Sequence, residues 1–180
     1  MGAYPDVMDQ GGIRPFYADW ERYNRHIVDV VASMTDDELA IRPAPNRWPV
    51  WATVGHLAGV RVFWLCHVLG EPGLQSTPFA DPELDGGWED DLDHPRSAVE
   101  LVEALDTTWS IIAGCLDRWT PESIEETIIT QSGRSFSRQS IVLRLLSHDA
   151  YHAGELSQTQ GIHGLQQIDL WPPEDHPAIG

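Results

Sequence analysis

The sequence predicts an all-α protein, a four-helix bundle with a long crossover between its second and third helices and an irregular C-terminal tail. Four segments carry apolar residues three and four positions apart, the spacing that places them on one side of an α-helix. Prolines, glycines or capping residues separate these segments. Because four apolar stripes can be buried only against one another, a bundle is the simplest arrangement.

The first two helices are predicted at residues 15–34 and 49–70. Thr35 and Glu38 have the spacing of a capping box, which opens a short turn after the first helix. Pro49 suits the first position of the second helix. This second helix is apolar over more than half of its circumference, so we expect it to be buried on two sides.

The second half of the chain begins with residues 71–94, whose prolines, glycines and acidic residues predict a long irregular crossover. The third helix is predicted at residues 95–119, with Pro95 in its first turn and His94 at a capping position before it. The β-branched run that starts at Thr127 is compatible with an extended pair or with a loop. Ser137 caps a fourth helix at residues 137–160, and a coil tail follows.

Length and composition limit the class of protein. A chain of 180 residues fits one domain, so residues 1–180 are interpreted as a single domain. The formal charge of −17 disfavours nucleic acid and anionic membranes as partners. Cys66 and Cys115 lie in apolar helical stretches and offer no disulfide framework, while Met1–Gln10 lacks the features of a signal peptide. These observations predict a cytoplasmic protein.

Three of the eight histidines are predicted to bind a metal ion. His148 and His152 lie four residues apart, which places both imidazoles on one helix face, although such a pair also arises on exposed helices. Their apolar surroundings favour a metal, since a buried imidazole without a partner costs about 1 to 3 kcal/mol. His56, in the middle of the apolar second helix, is the third predicted ligand. The remaining histidines are interpreted as structural or solvated, namely His26, His67, His94, His163 and His176.

The motif His148-Asp149-x-x-His152 has the spacing of the His-Glu-x-x-His motif of zinc proteases. Asp is one methylene shorter than the Glu that acts as general base there, and a helical chain offers no edge strand for an extended peptide. A peptidase is therefore disfavoured.

The combination of His56 in an apolar second helix with His148-x-x-x-His152-x-Gly154-Glu155 in the fourth resembles the DinB/YfiT-like superfamily of metal-binding four-helix bundles. The resemblance covers nearly the whole chain, including Arg42-Pro43-x-Pro45-x-x-Trp48 before helix two. It implies that the three histidines bind a divalent metal, commonly zinc or nickel. It also implies a homodimer, no DNA binding and, in members with assigned activities, thiol S-transfer or isomerisation with bacillithiol or mycothiol; many members have no known reaction.

Three histidine ligands leave an open coordination position, which is typical of catalytic rather than structural zinc. We therefore expect a metal-dependent enzyme that transfers a low-molecular-weight thiol to a small electrophile, or a related isomerase. Arg144 and Arg61 are predicted to bind the thiol cofactor, and Glu155 is predicted to orient a ligand imidazole or act as a base. A solvated Arg144 and an exposed Glu155 are the alternatives. A non-catalytic metal-binding or small-ligand-binding stress protein and a metal-dependent hydrolase also remain open.

Overall fold

The computed structural model describes residues 11–81, 86–130 and 133–172, and within these ranges the chain is mostly helical. Predictions about Met1–Gln10, residues 82–85 of the crossover and residues 173–180, with His176, lie outside them. The four long helices are α1 (Ala18–Ala32), α3 (Val50–Val62), α4 (Ala98–Arg118) and α6 (Arg138–Ile162). Two short helices follow α1 and α4, namely α2 (Asp36–Leu39) and α5 (Pro121–Ile124).

A two-stranded antiparallel sheet corrects the all-α prediction. Strands β1 (Thr127–Ile129) and β2 (Ser135–Ser137) pair with Ile128 opposite Phe136. The β-branched residues of β1 favour extended backbone, and Gly133, with a φ of +78°, adopts the left-handed conformation in the connection. The alternative that the sequence left open is therefore resolved as an extended pair.

Side-chain capping sets the starts of three helices. Thr35 and Glu38 form the predicted capping box of α2, and the predicted cap Ser137 accepts a hydrogen bond from the backbone of Ser140 in α6. The predicted start of the third helix is wrong by three residues, because Ser97 forms a capping box with Glu100 and α4 begins at Ala98.

Two smaller predictions about helix starts are also corrected. His94 is not a helix cap; its ring lies beside Asp91, within hydrogen-bonding distance of the carboxylate. Pro49 is the residue before α3 rather than its first residue, with extended backbone at ψ 161°. At its other end α3 continues as a π-helix, Phe63–Val68.

The long helices bury their apolar stripes against one another, since α4 contacts α1 and α3, and α6 contacts the same two helices. Ile27, Leu57 and Leu105 belong to one buried cluster, and Trp20 and Leu145 to a second. Within the described ranges, none of the helices combines the length and apolar character needed to cross a bilayer.

The described part of the crossover lies against α3 and consists of loops and short 3-10 turns at Leu74–Ser76, Pro78–Ala80 and Trp88–Asp90. Trp88 is buried, and its side chain lies so close to Gly55 that a Cβ there would be 3.1 Å from the Trp88 Cβ. A glycine at position 55 therefore lets the crossover approach α3. This contact holds the next residue, Glu89, beside His56.

Candidate metal centre

Three histidines converge where α3 contacts α6. His56 lies in the middle of α3, while His148 and His152 lie one turn apart on α6. Each ring can present one nitrogen such that the three atoms lie within 4.8 Å of one another, and the Nε2 atoms of His56 and His148 are 3.1 Å apart. His152 is buried and the other two are partly buried. This group could hold a metal ion.

Two carboxylates orient two of these imidazoles. Glu89, from the crossover, lies against Nδ1 of His56, and Oε2 of Glu155 is 2.9 Å from Nδ1 of His152. A carboxylate acceptor holds the ring proton on Nδ1 and leaves Nε2 with a free lone pair. Both rings are therefore held in the tautomer that can coordinate a metal through Nε2.

His148 is incompletely satisfied in either of its neutral tautomers. Its Nδ1 is buried and has no hydrogen-bond partner among the described residues, while its Nε2 faces the Nε2 of His56. A proton on Nε2 leaves Nδ1 as a buried acceptor without a donor. A proton on Nδ1 instead brings two lone pairs to within 3.1 Å of each other. A divalent cation held by His56 and His148 would remove that repulsion, and three imidazole nitrogens are a donor set that suits zinc or nickel.

Burial keeps His148 and His152 neutral, which is the state that binds a metal. Desolvation, followed by the proximity of His152 and His56, lowers the pKa of His148 from 6.5 to about 3. Desolvation also lowers the pKa of His152, although the hydrogen bond to Glu155 opposes this effect. At neutral pH the lone pairs of both residues are therefore free of competing protons.

Aromatic side chains border the three histidines. The ring of Trp48 lies 5.0 Å from that of His56, and the ring of Tyr151 lies 4.9 Å from that of His152. Trp48 is 37% exposed and Tyr151 is 70% exposed, so these two rings mark the side of the centre that faces solvent.

The three other predicted site residues differ in their surroundings. Glu155 contacts His152, the position expected for an orienting acceptor. Arg144 is exposed, one turn before His148, and its guanidinium lies 4.6 Å from the centre of the Trp64 ring. Arg61 is fully buried within the protein. The structure thus brings Glu155 into contact with His152 and places Arg144 one turn from His148. Arg61 has no exposed surface to which a cofactor could bind.

Arg61 belongs to a separate buried network. Its guanidinium donates to both carboxylate oxygens of Asp149, at 2.8 and 3.4 Å, and to the side chain of Asn24 at 2.8 Å. Trp20 donates to the same carboxylate at 2.8 Å. Asp149 is therefore held in the core, where both of its carboxylate oxygens accept hydrogen bonds.

Sequence reasoning missed the contacts that Glu89 and Trp48 make with His56 and the contact that Asp149 makes with Arg61. Glu89 is 33 residues from His56 along the chain, in an irregular acidic segment, so no spacing rule identifies it. Asp149 carried a signal, since a carboxylate four residues from apolar Leu145 on a packed helix needs a buried partner. The other histidines lie elsewhere, with His67, His94 and His163 exposed.

Comparison with known proteins agrees with this architecture. The model of the DinB superfamily matches residues 16–156. A DinB-like protein from Bacillus cereus is structurally similar, with a TM-score of 0.68 and 16% sequence identity over 90% of this chain and 99% of the other. A search among curated proteins gave no match. Because the family model spans most of the chain, this protein belongs to the DinB superfamily.

Proposed function

We propose that this protein binds a divalent metal, zinc or nickel, through His56, His148 and His152, and transfers a low-molecular-weight thiol to a small electrophile. The observation that carries the proposal is the convergence of three imidazoles, two of them oriented by carboxylates, with the Nε2 atoms of His56 and His148 only 3.1 Å apart.

A divalent ion held by His56, His148 and His152 would supply Lewis-acid chemistry, which lowers the pKa of a thiol or water. In the proposed reaction a bond forms between the thiol sulfur and an electrophilic carbon. The bond from that carbon to its leaving group breaks, the leaving group departs with the electron pair, and the thiol proton passes to solvent. The same activated thiol would support the related isomerase reaction.

The surrounding residues are assigned roles according to their contacts. Glu155 and Glu89 act as positioning residues, because each carboxylate contacts a histidine rather than the open side of the centre. Arg144 is the residue we assign to a carboxylate of a thiol of the bacillithiol type, since it is exposed and one turn from His148. Arg61 has no place in this proposal.

The decisive experiment measures metal content and the absorption of the cobalt-substituted protein as thiol is added. We expect one metal per chain, its loss in His56→Ala, His148→Ala and His152→Ala, and an intense thiol-dependent charge-transfer band. His67→Ala is the matched control, because His67 is exposed on the same helix as His56. The wild-type protein without bound metal would overturn the proposal.

The same spectra, combined with an assay of thiol transfer to electrophiles, separate the alternative functions. A full metal site without a thiol-dependent band would favour the hydrolase, which uses bound water directly. A thiol-dependent band without transfer to any electrophile would favour a non-catalytic binding protein. A protein carrying Cys66→Ser and Cys115→Ser should retain the band, because burial raises the pKa of both thiols, that of Cys115 to about 12, and disfavours the thiolates that bind metals.

The proposal also includes a single-domain four-helix bundle that is cytoplasmic and forms a homodimer. Leu143 and Tyr151 are exposed on α6 and support a contact between two copies through that helix. Two free cysteines are compatible with a reducing compartment. Light scattering tests the dimer, and a monomeric mass would exclude it.

A further inference from the structure

A cavity lies along α3, on the side of the helix that carries His56. Its volume is about 530 Å³, within the range of roughly 300–1,000 Å³ that is typical of small-molecule sites. Gly59, Val60 and Phe63 of the helix face Phe79, Asp81 and Glu89 of the crossover across it. None of the three metal-centre histidines is among the described residues of its lining.

The apolar wall of this cavity is preformed. Phe79 packs against the buried Trp88, with ring centres 5.0 Å apart, and Trp88 is held against α3 at Gly55. Gly59 faces the Phe79 ring, and a Cβ at position 59 would lie 3.4 Å from that ring. Because glycine has no side chain, this side of the Phe79 ring stays uncovered. Phe63 is 52% exposed on the facing helix. Two aromatic rings are therefore available to an apolar ligand.

The polar part of the cavity is acidic, and the carboxylate of Glu89 is incompletely paired. Glu89 uses Oε1 to contact Nδ1 of His56, whereas its Oε2 is buried and has no hydrogen-bond partner within the described ranges. Gly87 also lines the cavity, and its missing side chain leaves the space in which this Oε2 lies. A buried carboxylate oxygen favours a charged donor as its partner.

We propose that this cavity binds a small organic cation, with its apolar body against Phe63 and Phe79 and its ammonium group donating to Glu89. Aromatic faces attract cations, and the carboxylates of Glu89 and Asp81 disfavour anions of the same shape. The overall charge of −17 adds attraction for a cation at low ionic strength. This inference goes beyond thiol transfer, and it does not require a metal in the neighbouring centre.

Calorimetry of the metal-free protein, in the presence of a chelator, tests the inference with three probes of one shape: phenylbutylamine, phenylbutanol and phenylbutyrate. We expect the amine to bind about 10-fold or more tightly than the alcohol, because a hydrogen bond to a charged group replaces a neutral one. The carboxylate should bind most weakly. Equal affinity for amine and alcohol, or no binding of the amine, would overturn the inference.

Two variants locate the binding site. Glu89→Gln should remove the preference for amine over alcohol, whereas Glu125→Gln, the same change at an exposed position, should retain it. Val60→Trp should fill the cavity and weaken binding of amine and alcohol alike, with circular dichroism to verify the fold. Amine binding that is unchanged in both Glu89→Gln and Val60→Trp would place the cation elsewhere and refute the proposal.

Loss of amine binding can be distinguished from failure of the proposed thiol chemistry. The calorimetric test contains no metal, thiol or electrophile, so a protein without transferase activity can still pass it. Conversely, the cobalt spectra with thiol contain no amine, so an intact metal and thiol site can accompany an empty cavity.

Discussion

Two polar clusters join α3 to α6, and they differ in how completely their atoms are paired. Arg61 and Asp149 are fully buried, and each nitrogen and oxygen of their charged groups has a hydrogen-bond partner. In the histidine cluster, Nδ1 of His148 and Oε2 of Glu89 are buried without partners in the described part of the chain. His148 and Asp149 are adjacent in sequence, yet they belong to different clusters.

We interpret this difference in pairing as a difference between a structural cluster, Arg61 with Asp149, and a functional one, the three histidines. Buried polar atoms in native proteins are nearly always paired, so a complete network needs no ligand and serves to hold the helices in register. The incomplete cluster in the same pair of helices is the one that we expect a ligand to affect. The predictions below test that distinction by removing one cluster at a time.

The largest expected effect is on the complete network. Asp149→Ala leaves the guanidinium of Arg61 buried without its counter-charge, which should lower the free energy of unfolding by about 3 to 5 kcal/mol. Urea unfolding of the metal-free protein measures the change. Asp29→Ala, at an exposed position of α1, is the control and should change it by about 0.5 kcal/mol or less.

The histidine cluster should behave differently in the same experiment. His148→Ala removes a partly buried group that has an unpartnered nitrogen, so we expect a loss of only about 1 kcal/mol without metal. Comparable losses in Asp149→Ala and His148→Ala would contradict the comparison. Replacing Arg61 by Met and Asp149 by Leu together should recover much of the stability, since well-packed apolar residues often substitute for a buried ion pair.

Metal addition should have the next largest effect, and only on the incomplete cluster. At a free metal concentration 100 to 1,000 times the dissociation constant, binding should raise the free energy of unfolding by about 3 to 4 kcal/mol. Chelator should reverse the effect, and His148→Ala should eliminate it. Thermal unfolding with and without metal is the measurement, and an equal stabilisation of His148→Ala would place the metal elsewhere.

A smaller effect is expected from the carboxylates that orient the imidazoles. Glu155→Gln and Glu89→Gln should each weaken metal binding by about 10-fold to 100-fold, because an amide holds the ring and its tautomer less firmly than a carboxylate. Competition with a chromophoric chelator gives the affinities. Glu125→Gln serves as the matched control, and wild-type affinity in both orienting variants would show that these contacts do not support the metal.

The sequence was most informative where local rules apply. Hydrophobic spacing predicted the helical segments, and capping chemistry predicted the capping box at Thr35 and the helix cap at Ser137. The start at Pro95 was wrong because a favourable first-turn residue competes with a stronger cap, Ser97, two positions later. The grouping of His56 with His148 and His152 followed from their apolar surroundings and from the family resemblance.

The sequence was least informative where contacts join distant segments. Nothing in the spacing of residues 71–94 places Glu89 on His56, because that contact depends on the packing of Trp88 against Gly55. Arg61 was predicted to bind the cofactor because, from helix two, it could face the same cavity as Arg144, but its guanidinium has a partner in the core. The structure shows that the partner is Asp149, which the histidine motif had drawn attention to only as a potential base.

The smallest effect on stability is expected at the other arginine. Arg144 is exposed and lies over Trp64, so Arg144→Ala should change the free energy of unfolding by only about 0.5 to 1 kcal/mol. If Arg144 binds a carboxylate of the thiol, the KM for that thiol should rise about 10-fold while kcat stays unchanged, and Arg144→Lys should lie between. Steady-state kinetics at varied thiol measure this, with Arg134→Ala in the hairpin as an exposed control. An unchanged KM in Arg144→Ala would leave the residue with its contact to Trp64 alone, and the thiol would then have to be held by groups closer to the three histidines.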